Sequence, residues 1–220
     1  EIGAMDNTIV IYIAGDNGAS AEGGLDGAFN ETKALNGVPE TVDEILPRLD
    51  EIGSPTAFNH YPVGWAHAMN APYQWTKQVA SHWGGTRNGM VLRWPNGISA
   101  SGEVRQQFHH VIDIAPTLLA AAGLPQPYSV NGIAQKPIEG VPMNYTFDDA
   151  DAADRHTTQY FEMFGNRGIY HDGWTAVTKH RTPWEMGEGA TVPALNDDVW
   201  ELYDTRQDWS QANDLSSTMP

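Results

Sequence analysis

The chain predicts an α/β sandwich followed by a small antiparallel unit, and three observations carry that prediction. Residues 9–14 form an unbroken apolar, β-rich run, which fits a strand buried on both faces better than a half-exposed one. A second such run, residues 89–94, is followed by a helix opened by Asp113, and strands alternating with helices imply layers of helix on sheet. After about residue 150 the pattern changes to paired strand-like segments, so the expected division is 1–150 for the α/β part and 151–220 for the antiparallel part.

Taken in order, residues 1–5 read as the tail of a helix and Asp6-Asn7-Thr8 as the turn after it, so the chain is expected to begin in mid-domain. The first strand ends at Gly15-Asp16-Asn17-Gly18. Residues 19–40, rich in Gly, Asn and Ala without a period, read as a long surface loop. Thr41 and Glu44 form a capping box opening a helix to about Asp50, with Pro47 kinking or shortening it and Gly53 closing it. Residues 54–75 are aromatic and proline-punctuated, an irregular layer. Beyond the second core strand, the Asp113 helix tolerates Pro116 in its first turn, presents a stripe of Ala115, Leu118, Leu119 and Ala122, and stops at Gly123. Residues 158–164, 174–178 and 200–203 read as strands, with His171-Asp172-Gly173 as a hairpin turn and Phe161, Phe164, Trp174 and Tyr203 as their core.

Composition narrows the function. With 40% hydrophobic residues over 220 positions the chain can bury a core. Twelve Lys and Arg face 28 Asp and Glu, a formal charge of -16, which repels nucleic-acid phosphates and anionic membranes. No nucleic-acid or membrane partner is expected. Cysteine is absent, which excludes disulfides, thiolate metal sites and a cysteine nucleophile within these residues. No apolar run approaches the roughly 20 residues needed to span a bilayer. The chain reads as soluble, with bacterial cytoplasm and periplasm both open.

Asp16 and Asn17 follow the best strand, and ligands bind at the carboxyl ends of strands in open α/β sheets. Both offer hard oxygens suited to Ca²⁺ or Mg²⁺, but calcium takes about 6–8 oxygens, so two cannot complete a site. The alternative is that Asn17-Gly18 is only a tight turn, and both readings stay open at this level. Lys77 could hold an anion as a point charge, although a lone lysine is usually a solvated surface residue. His82 could act as a general acid near neutral pH, or be structural. Gly84-Gly85 signals close backbone approach or a positive-φ turn. The neighbours His109 and His110 do not share a face and read as one core and one surface residue. Asp148-Asp149 and Asp197-Asp198 are metal candidates or, more simply, solvated charge.

These segments together resemble the arylsulfatase branch of the alkaline-phosphatase-like superfamily. The residues that carry the resemblance are Gly15-Asp16-Asn17-Gly18 after the strand, Lys77 five residues before His82, the run 84–88, Arg93-Trp94-Pro95, residues 110–117, Asn131-Gly132 with 135–140, and residues 200–204. The resemblance implies the C-terminal part of an alkaline-phosphatase-like α/β/α sandwich with a small antiparallel C-terminal subdomain. It also implies a sulfuric ester hydrolase acting on a small-molecule sulfate ester, with Asp16 and Asn17 as two calcium ligands and Lys77 against the sulfate. Many sulfatases carry Glu where this chain has His82, while some bacterial members look like this chain there. The family's nucleophile is a formylglycine made in a Cys/Ser-x-Pro-x-Arg motif, and no such motif occurs here. The expectation is therefore a fragment, inactive alone, whose calcium site and formylglycine are completed by an N-terminal sulfatase segment.

Two other readings stand beside it. One is a phosphonate or phosphodiester hydrolase of the same superfamily; the other is a non-catalytic structural module. A sheet without all its partners would also leave apolar surface exposed and favour a homo-oligomer.

Overall fold

A computed structural model describes residues 3–38, 40–185 and 191–219. In chain order its regular elements are β1 (Val10–Ile13), α1 (Glu31–Leu35), α2 (Val42–Ile45), α3 (Val63–Asn70), α4 (Trp83–Thr86), β2 (Met90–Arg93), α5 (Ile114–Ala121), β3 (Ser129–Val130), β4 (Ile133–Ala134), β5 (Thr158–Met163), β6 (Asn166–His171), β7 (Trp174–Thr178) and β8 (Glu201–Asp204). They form two compact units: residues 1–12 with 90–159, and residues 13–89 with 160–220. The antiparallel strands thus share a unit with the loop that follows β1.

In the first unit a 3-10 turn, Met5–Asn7, precedes β1; Glu1 and Ile2, the start of the expected helix tail, lie outside the described residues. β1 pairs with β2 as a two-stranded sheet. The expectation of strands buried on both faces is corrected here. Val10, Tyr12 and Val91 are 42%, 67% and 66% exposed; each strand has one hydrogen-bonded neighbour in a two-stranded sheet, which leaves its faces open among the described residues. The α5 stripe is corrected likewise: Ala115, Leu118 and Ala122 are exposed, and Thr117 is the buried residue, its hydroxyl donating to the Asp113 carbonyl and accepting from the Met143 N–H. Gly123 ends the helix at φ +66°, as expected.

Asp113 organises this unit. It is fully buried, and its carboxylate accepts from the N–H groups of His110 and Val141 (both 2.8 Å) and pairs with His156 Nδ1 at 2.8 Å. Burial alone would raise its pKa, but these bonds, with the His109 ring 3.8 Å away, outweigh it and hold the carboxyl at about 2, below its ordinary 3.8. His109 and His110 are both half-buried rather than split between core and surface. Asp148 accepts from the Ser99 N–H and hydroxyl and from the Ala100 N–H, which is a loop-fixing role.

The second unit holds the capping box: the Glu44 carboxylate accepts from the Thr41 N–H at 2.8 Å. After one turn of α2, Pro47 converts the helix to the 3-10 segment Leu46–Glu51, and Gly53 follows at φ +83°. Two elements had no sequence signal, α1 within the expected loop and α3 within the expected irregular layer. β6 and β7 form a hairpin with His171 opposite Trp174, so Asp172 (φ +44°) and Gly173 (φ +85°) make the two-residue turn. β8 pairs with β7, and β5, whose residues from Tyr160 belong to this unit, lies beside β6. Tyr203 is buried and Phe161 and Trp174 half-buried, but Phe164 is 41% exposed, because it sits at φ +55° just past the end of β5. Asp198 is buried against Arg167 and His180 and is a structural ion pair, not solvated charge.

The sheet is fastened to residues 75–85 by buried polar side chains. Asn166 donates to the Gln78 carbonyl and accepts from the His180 N–H; Gln211 accepts from the Trp83 N–H at 2.8 Å and donates to Thr175 Oγ1. A Cβ on Gly168 would stand 2.7 Å from the Ser81 carbonyl oxygen, so the backbones there are in contact.

Candidate functional site

The loop after β1 turns at Gly15, whose φ of +90° suits glycine. Asp16 and Asn17 follow, both exposed, with Asn17 Nδ2 donating to Asp16 Oδ1 at 3.0 Å. That contact engages one Asp16 oxygen and leaves Oδ2 outside it. Asn88, with its amide oriented to satisfy both bonds, donates to the Asn17 carbonyl at 2.8 Å and accepts from the Asn17 N–H at 3.3 Å. Gly18 does not make a hairpin. Its N–H donates to the Gly85 carbonyl at 3.0 Å, and a Cβ there would lie 1.7 Å from the Gly84 carbonyl oxygen.

Gly84 and Gly85 are required for the same reason from the other side: added Cβ atoms would stand 2.0 Å from the Gln74 carbonyl oxygen and 2.2 Å from that of Val79. Close approach, not positive φ, explains the pair. Asn70, the last residue of α3, ties the layers together, accepting from the Ala19 N–H and donating to the carbonyls of Trp75 and Gly84, each at 2.9 Å.

Lys77 sits between two strained residues, Trp75 (φ +67°) and Gln78 (φ +75°). A bulky side chain in this region costs about 1–3 kcal/mol, and such strain persists only where the surroundings over-determine it. Here Asn70 holds the Trp75 carbonyl and Asn166 that of Gln78. The Lys77 N–H donates to the Ala19 carbonyl, and its Nζ meets Glu22 Oε1 at 2.9 Å. Burial pushes the Glu22 carboxyl up, but hydrogen bonds from Ser20 and Lys77 and the nearby positive charge bring it below its ordinary value.

These segments line an open cavity of about 470 Å³, bordered by Asp16, Asn17, Asn70, Tyr73, Lys77, Arg87 and Asn88 among others. The volume suits a small ligand. In a chain of net charge -16, two cationic residues, Lys77 and Arg87, line one cavity. The Arg87 guanidinium lies 5.3 Å from the Tyr73 ring centroid and 5.8 Å from that of Trp83.

Three of the four residues singled out from the sequence therefore meet: Asp16, Asn17 and Lys77 line the same cavity. His82 does not join them. It is fully buried, its Nδ1 shares a hydrogen bond with Ser81 Oγ at 2.9 Å, and its Nε2 meets Glu201 Oε2 at 3.2 Å. Glu201 also accepts from the Tyr203 hydroxyl; the His82 bond is the main reason its carboxyl is held below the ordinary range. Glu22, Asn70 and Arg87 had no assigned role at the level of sequence. Arg87 and Asn88 stood next to the glycine pair, whereas Glu22 and Asn70 had no local signal.

Asp16 and Asn17 fit a hard divalent cation in donor chemistry, as a partial set. Among the described residues no group of three or more His, Cys, Asp or Glu is arranged to hold a metal ion.

A family model described as Sulfatase matches residues 1–124, more than half of the 220 residues. The chain belongs to the sulfatase family. A second model, described as N-sulphoglucosamine sulphohydrolase, C-terminal, matches residues 73–219 of the sulfatase chain. An uncharacterized sulfatase of Schizosaccharomyces pombe is 28% identical over 221 residues, covering 100% of this chain and 36% of that relative. An arylsulfatase of Klebsiella aerogenes is 29% identical over 138 residues, 63% of this chain and 27% of the relative. Among solved structures, the PsFucS1 sulfatase of Pseudoalteromonas aligns with a TM-score of 0.56 at 14% identity, over 99% of this chain and 34% of its own. A Bacteroides thetaiotaomicron protein described in terms of glycosaminoglycan metabolism aligns with a TM-score of 0.53 at 22% identity, over 98% and 36%. These likenesses give the fold as that of the sulfatases. The sulfatase chain spans about a third of the length of these relatives. No helix among its described residues is long and apolar enough to cross a membrane.

Proposed function

We propose that this sulfatase chain contributes the cation and anion contacts of a sulfuric ester hydrolase site, with an arylsulfatase-like R-O-SO₃⁻ as substrate. The observation that carries the reading is the convergence of Asp16, Asn17 and Lys77 on one cavity from segments about 60 residues apart in sequence. Asp16 Oδ2 and the Asn17 amide oxygen would hold Ca²⁺, which when bound supplies positive charge against the sulfate oxygens. Lys77 and Arg87 would bind the non-bridging oxygens, Lys77 as a point charge and Arg87 as a planar fork. Asn88 and Asn70 act on backbone, holding the Asn17 loop and the Lys77 segment at the separation the cavity requires. His82, fully buried and bonded at both ring nitrogens, takes no step in this reading; its backbone carbonyl accepts from the Gly85 N–H at 2.9 Å.

The nucleophile of the reaction, a formylglycine in this family, would come from the part of the longer relatives that this chain does not span. The test is complementation: the chain combined with an N-terminal sulfatase segment, assayed on an aryl sulfate and on a phosphodiester. Calcium-dependent sulfate release that Asp16→Ala and Lys77→Ala both abolish is the expected result. Cleavage of the phosphodiester alone would move the chain to the phosphonate and phosphodiester branch. Silence on both substrates, with intact folding, would favour a structural module.

A further inference from the structure

Lys77 reaches its cavity on a four-carbon stem, and such a stem does not hold an ammonium in one place by itself. Its fixed contact is Glu22, at 2.9 Å. Glu22 is in turn braced: the Ser20 hydroxyl donates to Oε2 at 2.6 Å, His60 Nε2 meets that hydroxyl at 3.0 Å, and His60 Nδ1 meets the Tyr61 carbonyl at 3.0 Å. Both ends of the ion pair are about 30% exposed, and exposed pairs contribute little to stability. A three-residue brace behind a pair of that kind therefore calls for another role.

We infer that Glu22 is a positioning residue for Lys77: its braced carboxylate takes one ammonium N–H and holds the other two toward a tetrahedral anion in the cavity. The inference deepens the anion-cradle reading above and rests on it for the identity of the ligand. It makes a prediction opposite in sign to simple electrostatics. Removing a negative charge beside an anion site should tighten anion binding, whereas removing a positioning group should weaken it.

The chain carries four lysines, Lys33, Lys77, Lys136 and Lys179, so the Lys77 side chain can be followed by NMR with ¹³C-labelled lysine and inorganic sulfate as the probe. Without sulfate, Glu22→Gln and Glu22→Ala are expected to increase the mobility of the Lys77 side chain and leave the other three lysines unchanged; Glu22→Asp restores part of the order. With sulfate, both charge-removing variants are expected to bind about three- to tenfold more weakly than wild type, the scale of ordering one long side chain. Unchanged Lys77 mobility, or sulfate binding as tight as wild type or tighter, overturns the proposal. If Lys77 loosens in the variants but the wild-type chain does not respond to sulfate, Glu22 does fix Lys77, and it is the sulfate reading that falls. Backbone spectra of Glu22→Gln, the isosteric variant, separate these outcomes from misfolding.

Discussion

Gly18→Ala is the most informative single perturbation, because Gly18 joins the Asp16-Asn17 loop to the Gly84-Gly85 turn. The added methyl would stand 1.7 Å from the Gly84 carbonyl oxygen, 2.8 Å from its carbon and 2.9 Å from the Lys77 nitrogen. All three are backbone atoms, so no side chain can swing aside. Reaching ordinary van der Waals separation, about 3.4 Å or more, requires the loop to retreat by well over an ångström, which breaks the 3.0 Å bond from the Gly18 N–H to the Gly85 carbonyl. Overpacking costs about 1–3 kcal/mol and the broken bond about 1 kcal/mol more, so a total of about 2–4 kcal/mol is expected. For a chain of this size that lowers the unfolding midpoint by roughly 4–16 °C. The assay is thermal unfolding followed by circular dichroism, with Gly64→Ala as control. Gly64 lies in α3 with open space where its Cβ would be, so that variant should match or slightly exceed wild type. A Gly18→Ala protein as stable as the Gly64→Ala control would refute the interlocked-backbone account of the site.

Asp113→Asn should destabilise by about 3 kcal/mol at pH 7, the scale of breaking a buried pair, because the His156 ring then faces a neutral amide in place of a carboxylate. The pH dependence has a definite sign. A carboxyl lowered from 3.8 to about 2 contributes about 2 kcal/mol, present above roughly pH 4 and lost as pH falls toward 2. Urea midpoints of wild type and Asp113→Asn should therefore converge in acid, and a constant gap down to pH 2 would contradict the assignment. Gln211→Ala leaves the buried Trp83 N–H without its side-chain acceptor and Thr175 without its donor, for about 2–4 kcal/mol by chemical denaturation; a loss below 1 kcal/mol would mean water replaces both bonds. Calcium should raise the thermal midpoint of the chain combined with an N-terminal sulfatase segment and not of the same combination carrying Asp16→Ala. An equal rise in both would place the ion elsewhere.

The residues at which the chain reverses or stops were legible locally. The Thr41/Glu44 box, the Asp172-Gly173 hairpin and the Gly123 helix stop each depend on the φ or the capping atoms of one or two residues, and they occur where sequence alone puts them. Asp16, Asn17 and Lys77 were singled out beside a strand end and a glycine pair, and their roles came from the family resemblance; that they line one cleft is visible only in the packed structure. Burial was not legible. Apolar runs 9–14 and 89–94 read as core, yet Tyr12 and Val91 are two-thirds exposed, because burial is a property of what packs against a strand and not of the strand. For the same reason Glu22, Asn70 and Asn166 acquired their roles only in three dimensions: each acts on a partner 50 to 90 residues away, a distance over which no local propensity carries information. His82 marks the boundary between the two. Its residue type suggested chemistry, and the partners of its ring, Ser81 and Glu201, the second 119 residues away, are visible only in the packed structure.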